Sequence, residues 1–223
     1  YLFDNGASSI SPRGRELERT MLEDLPTDDL IFLEKPVFTH SALRISPSDP
    51  MRMTTKRYVY AKGNQQLAEM LSERVDVRLN RTVEVLEKQG TDYHVLSEAY
   101  EGLVLALPAP EAARLLSTIG LIRPLANCRY RSCISLSVAF AKELEPRTYF
   151  AIVEPEQRFP LTWLSIESQK CAGRAPEGHT AFELQFSASF SAAHMDDEGP
   201  MVLSHGLVYL ERLFGKSWDQ PMA

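Results

Sequence analysis

The stretch Ser132-Cys133-Ile134-Ser135-Leu136-Ser137-Val138-Ala139-Phe140 alternates without a break: Ile134, Leu136, Val138 and Phe140 fall on one side, small residues on the other. Successive side chains of an extended chain point to opposite faces, so the pattern describes a strand with one apolar face. A helix would repeat its apolar stripe every three to four residues instead. Three later runs, TYFAIV (148–153), LTWLSIE (161–167) and AFELQFS (181–187), read as further strands, the last grouping Phe182, Leu184 and Phe186. A sheet with one apolar face needs a cover. The run from Pro200 to Phe214 supplies one, because Val202, Leu203, Leu207, Leu210 and Leu213 recur at helical spacing and Gly215 is placed to stop the helix.

Toward the N terminus the same reading continues. Residues 1–10 are expected to be a strand leading to a turn at Pro12-Arg13-Gly14. Leu17, Met21, Leu22 and Leu25 then mark a helix that Pro26 ends. Residues 30–60, broken by Pro36, Pro47 and Pro50, read as short strands and loops. Leu67, Met70 and Leu71 form one face of a helix with Asn64 as its N-cap. VDVRL (75–79) and RTVEVLEK (81–88) read as strand, with Val83 and Val85 on one face, and QGTD turns the chain into the hairpin partner YHVL. GLVLALP (102–108) is a continuous apolar run, expected as a strand covered on both faces. Pro110 opens a short helix at its favoured first turn. The fold class expected is α+β, a mixed β-sheet with packed helices, not a series of βαβ units.

Composition narrows the function. Hydrophobic residues make up 44% and charged residues 24% of the 223, which suits a soluble globular protein. The net charge of -6, from 24 basic and 30 acidic residues, argues against nucleic acid or an anionic membrane as partner. No apolar run approaches the ~20 residues that cross a bilayer, and no signal-peptide pattern is present, so a cytoplasmic protein is expected. Cys128, Cys133 and Cys171 lack paired Cys-x-x-Cys spacing and read as buried or half-buried free thiols in a reducing compartment. His94, in an alternating strand, is expected to face solvent. His194 with Asp196 and Asp197 suggests no metal, because contiguous carboxylates point apart. No Gly-x-Ser-x-Gly elbow exists to support a serine hydrolase.

Six segments in order carry a further signal: LFDNGA (2–7), KGNQQLAEML (62–71), VRLNRTVEVLEK (77–88), LVLALPAPEAARLL (103–116), LTWLSIESQKCAGR (161–174) and FSASFSAAHMDDE (186–198). Together they resemble the flavin-containing amine oxidase superfamily, and specifically its renalase-like branch with its Leu-x-Trp-Leu and Ser-x-x-His-x-Asp segments. The resemblance implies FAD as cofactor and a two-domain fold. It divides this chain into an FAD-proximal strand, helix and loops (1–60), the remainder of the FAD-domain side (61–118), and a strand-rich substrate domain (119–223). It implies that Asp4, Gly6 and Ala7 form a turn facing the flavin, that the backbone at Val83 meets adenine, and that Ala106, Leu107 and Pro108 form the passage between domains. Ser9, Trp163 and Gln185 would line the substrate slot. Ser9 and Gln185 stand where the branch places an aromatic and a histidine. The residues alone also allow a plain turn at Gly6, a half-buried strand at Val83, a strand-to-helix turn at Pro108, and a core Trp163.

The resemblance further implies oxidation of a reduced nicotinamide-type or amine small molecule, with electrons passing to oxygen. Flavins carry such chemistry themselves, so no acid–base pair is required of the chain. A Gly-x-Gly-x-x-Gly run, needed to seat a pyrophosphate on a helix N-terminus, is absent. In the family it precedes the point where this chain begins, and a closing flavin segment follows its end. The expectation is a middle portion of a flavoprotein that holds no FAD alone and self-associates or is covered by another chain. The alternative is a non-catalytic remnant or subunit that binds protein through its sheet.

Overall fold

A computed structural model describes every residue except 216, 217, 219 and 223, and all described side chains but that of residue 126. The residues gather into two compact units, one from Tyr1–Val75 and Ser132–Ala223, the other from Asp76–Arg131. In the first unit, α1 (Arg15–Arg19) runs into a π-helical turn (Thr20–Asp24) and is followed by β1 (Leu30–Phe32), β2 (Val37–Ser41), β3 (Arg44–Ser46), α2 (Pro50–Thr54), β4 (Tyr58–Tyr60) and α3 (Gln66–Ser72). The second unit holds β5 (Glu87–Gln89), β6 (Asp92–Val95), β7 (Glu98–Tyr100) and α4 (Ala109–Thr118). The chain then returns to the first unit with β8 (Ser135–Phe140), β9 (Ala151–Val153), β10 (Leu161–Ile166), β11 (Thr180–Phe186), α5 (Ala188–Ala193) and α6 (Gly199–Phe214). No helix among the described residues is long and apolar enough to cross a membrane.

The first unit is organised by a six-stranded sheet in the order β3-β2-β9-β10-β11-β8. It is mixed, because β2 and β9 are parallel while the other neighbours are antiparallel. Register fixes its two faces. Leu136 lies opposite Leu184, Val138 opposite Phe182, and Leu164 opposite both Leu184 and Ile152. These side chains make the principal core, which Leu203, Leu207, Leu210 and Phe214 of α6 help to complete. Gly206 lets α6 come close: a Cβ there would lie 2.3 Å from Leu136 Cδ2. Gly215 ends α6 in the left-handed conformation. The alternation seen in 132–140 and the capped C-terminal helix are thus both realised.

Several expectations change. Residues 1–10 form no strand beyond one bridge from Ile10 to Tyr58, since Leu2 N–H bonds to the Arg174 carbonyl and the chain then turns away. Asn64 does not cap α3. Gln65 occupies that place, and the Asn64 side chain accepts the Tyr60 N–H and donates to the Ala7 carbonyl. Cys128 and Cys133 are exposed, Cys171 is half-buried, and all three are free thiols. His94 is half-buried rather than solvent-facing.

In the second unit the hairpin is shorter than its pattern. VDVRL and residues 81–86, including Val83 and Val85, lie outside any strand; only Glu87–Gln89 pairs with β6, and β6 then pairs with β7. GLVLALP forms no strand and is not covered on both faces, with Val104 90% exposed. Within this unit nothing pairs with its backbone as a ladder. α4 opens with Pro at its first turn as expected, and its Ala112 and Leu115 are buried. Thr118 donates to the Leu86 carbonyl and accepts the Leu86 N–H, tying the helix end to the hairpin.

Candidate functional site

The sheet face turned away from α6 is apolar over β2 and β9, where Val37, Ala151 and Val153 cluster, and polar over β11 and β8. Ser137, Glu183, Gln185, Trp163 and Ser165 project from this face, because Ser137 and Ser165 flank Glu183 across the ladders and Trp163 pairs with Gln185. Beside the Glu183 carboxylate, the loop after β10 carries a buried charge cluster. Glu167, Lys170 and Arg174 follow at spacings of three and four residues, and the Asp4 carboxylate meets them. Lys170 Nζ lies 3.0 Å from Asp4 Oδ2 and 2.8 Å from Glu167 Oε2, while Arg174 Nη1 lies 2.8 Å from Asp4 Oδ2. All four side chains are almost wholly buried. Ser165 donates to Glu167 Oε1, and Arg174 Nη2 donates to the Tyr60 carbonyl.

Two cations and two carboxylates balance, which leaves Glu183 as the odd carboxyl. Burial pushes it above the usual carboxylate range. Its hydrogen bond from Ser137 opposes that, Glu167 adds to it, Lys170 opposes it, and Asp4 adds to it. Oε2 takes the Ser137 hydroxyl, and Oε1 is buried with no partner among the described residues. The Trp163 indole N–H is likewise buried and unpartnered among them.

The cluster fixes the N-terminal turn. Asp4 is anchored by the cations and by Asn64 N–H (2.8 Å), Ala7 by the Asn64 amide (2.7 Å), and Gly6 by Gln185, whose Nε2 lies 3.2 Å from the Gly6 carbonyl. Asn5, Gly6 and Ala7 remain exposed between those anchors. Gly6 has φ +93°, open to glycine and costly to other residues, and a Cβ there would meet nothing within 4 Å. The result is bare backbone tied at three points beside Gln185, whose partner across the ladder is Trp163. Such a surface can bind and orient a flat ligand, and it carries no free acid–base pair.

The structure therefore brings together Asp4, Gly6, Ala7, Gln185 and Trp163. Asp4 serves as a buried anchor, and Trp163 packs half-buried in a second apolar cluster with its ring 6.4 Å from Phe150. Ser9 is half-buried further along the same segment. In the second unit, Val83, Ala106 and Leu107 line a hollow of about 560 Å³ together with Leu86, Leu103 and Leu115, and Pro108 caps α4 beside it. Sequence reasoning missed Glu167, Lys170, Arg174 and Glu183. The available signal was a Glu in mid-strand between Phe182 and Leu184, followed by the question of what neutralises it.

No protein-family model matches the chain, and no curated protein does. Solved structures do. A candidate protoporphyrinogen oxidase from Exiguobacterium sp. 255-15 superposes with a TM-score of 0.63 at 20% identity, over 78% of this chain and 40% of its own. Cyclohexylamine oxidase from Brevibacterium oxydans IH-35A matches at 0.60 and 12% identity, over 77% and 40%. Putrescine oxidase with bound putrescine matches at 0.55 and 15%, over 78% and 40%. At these identities the likeness is one of fold alone. The chain spans about 40% of the length of the solved structures it matches.

Proposed function

We propose that this chain is the substrate-facing portion of a renalase-like FAD-dependent oxidoreductase acting on a reduced nicotinamide-type or amine substrate. The observation that carries the reading is the exposed Asn5-Gly6-Ala7 backbone, tied down by Asn64 and Gln185. FAD, when bound, supplies the acceptance of hydride and its passage onward.

The residues fit the ring end of that cofactor. The space that a Cβ of Gly6 would enter is open, and Trp163 Nε1 and Glu183 Oε1 are buried polar atoms that lack partners among the described residues. Gly6 and Ala7 would face the ring, and Gln185, Trp163 and Ser9 would shape the slot in which substrate lies. In the second unit, Val83, Ala106 and Leu107 line an apolar hollow suited to adenine. The amine arm of the substrate class is supported by fold likeness to cyclohexylamine and putrescine oxidases.

The test is to purify the gene product from its native reading frame, record its flavin spectrum, and mix it anaerobically with NADH, NADPH, cyclohexylamine or putrescine. Bleaching of oxidised flavin by one class supports the reading. A product without flavin, or a flavin that none of these reduces, contradicts it.

A second reading, protein binding without catalysis, draws on the second unit, where Leu79, Val104 and Ile122 are strongly exposed. Light scattering across a concentration series tests it, with a persistent monomer as the contrary result.

A further inference from the structure

His194 caps the C-terminal end of α5, and Asp197 lies three residues on; both come near His205, which α6 carries. His194 Nδ1 is 2.6 Å from Asp197 Oδ2, and the two imidazole centroids are 4.9 Å apart at 61°. One ligand atom from each of the three residues lies within 4.8 Å of the others. Phe190 stacks on His194 at 4.2 Å and meets His205 edge-on at 5.2 Å, so both rings are held before any ion arrives. The sequence set His194 aside because Asp196 and Asp197 are contiguous. Asp196 is indeed exposed and outside the group, and the ligand that completes the set comes from the next helix.

We infer that His194, Asp197 and His205 bind one zinc ion at the junction of α5 and α6. Zinc takes imidazole nitrogen and carboxylate oxygen at about 2.0–2.2 Å in a tetrahedron, which sets ligand atoms roughly 3.4 Å apart and two bound imidazole centroids roughly 5 Å apart. The observed ring separation meets that value, and the ligand atoms need shift by only about 1 Å. His194 and Asp197 keep 29% and 23% of their side-chain surface, so water reaches the fourth position. The bound ion ties α5 to the helix that covers the apolar sheet face. This site does not depend on the flavin reading.

The experiment uses metal-free protein prepared by chelation, titrated calorimetrically with Zn²⁺ and followed by Co²⁺ absorption. One zinc per chain, a tetrahedral cobalt spectrum and a zinc-dependent rise in the thermal midpoint are expected. His205→Gln and His194→Ala should each weaken binding by at least about tenfold and abolish the midpoint shift, with the far-UV spectrum retained in His205→Gln. His179→Ala should bind as the wild type does. Absence of stoichiometric zinc in the wild type, wild-type affinity in both His194→Ala and His205→Gln, or loss of zinc in His179→Ala would overturn the inference.

Discussion

Asp4→Asn is the sharpest probe of the buried cluster, because it removes one charge and keeps the shape. Asp4 Oδ2 lies 3.0 Å from Lys170 and 2.8 Å from Arg174, and Oδ1 accepts the Asn64 N–H. Each ion contact at about 3 Å is worth roughly 5 kcal/mol of Coulomb attraction at an effective dielectric of 20. Desolvation already offsets most of that in the wild type. The variant keeps the desolvation of both cations and leaves only Glu167 to balance them. Breaking one partner of such a buried group costs about 3–5 kcal/mol. The asparagine carbonyl still accepts one bond, so the lower end, about 3 kcal/mol, is expected. For a chain of this size that lowers the thermal midpoint by roughly 6–12 °C. Urea denaturation followed by far-UV circular dichroism reads it directly. Adding Lys170→Met restores the charge balance and should return part of the loss as a measurable coupling. A single-variant cost below about 1 kcal/mol would refute the argument, since four buried charges cannot tolerate the loss of one so cheaply.

Glu183→Gln tests the odd carboxyl. Its folded pKa is raised above the ordinary 4.5, so ionisation destabilises the fold as pH climbs past that value, and glutamine does not titrate. The stability of the variant relative to wild type should grow from acid toward neutrality; a shrinking difference would place the shift in the opposite direction. Gly206→Ala would ordinarily stabilise a helix by about 1 kcal/mol, but its Cβ would sit 2.3 Å from Leu136, so a net loss of about 1 kcal/mol is expected. Leu136→Ala should relieve it, and a stabilised single variant would mean that Leu136 simply swings aside. Val104→Lys with Ile122→Lys should reduce self-association in light scattering, whereas unchanged association would assign it to another surface.

The strands were legible where local pattern and tertiary burial agree. In β8, β10 and β11, alternating residues become the core face, and α6 shows its stripe and its glycine stop because both are local properties. GLVLALP shows the limit of that logic: an apolar run predicts burial only if something covers it, and within its unit nothing pairs with it as a strand. The segment at 1–10 failed for a related reason. Its hydrogen bonds go to Arg174 and Tyr58, distant in sequence, and Asp4 is pulled into a charge cluster that no spacing rule reveals. Glu183 drew no notice in the sequence, because alternation separates the two faces of a strand without saying which face is wet. The turn at Gly6 was visible as Asn-Gly, but its clamp by Gln185 joins residues 179 apart.

Gly6→Val tests the central claim most directly, read as flavin content per chain of the gene product purified from its native reading frame. A Cβ there meets nothing within 4 Å, so the main structural cost is the positive φ, about 1–3 kcal/mol. If Asn5-Gly6-Ala7 is the backbone that approaches the flavin, the branched side chain occupies the ring's place. The account then predicts loss of flavin with an unchanged far-UV spectrum. Full flavin content in the folded variant would contradict it.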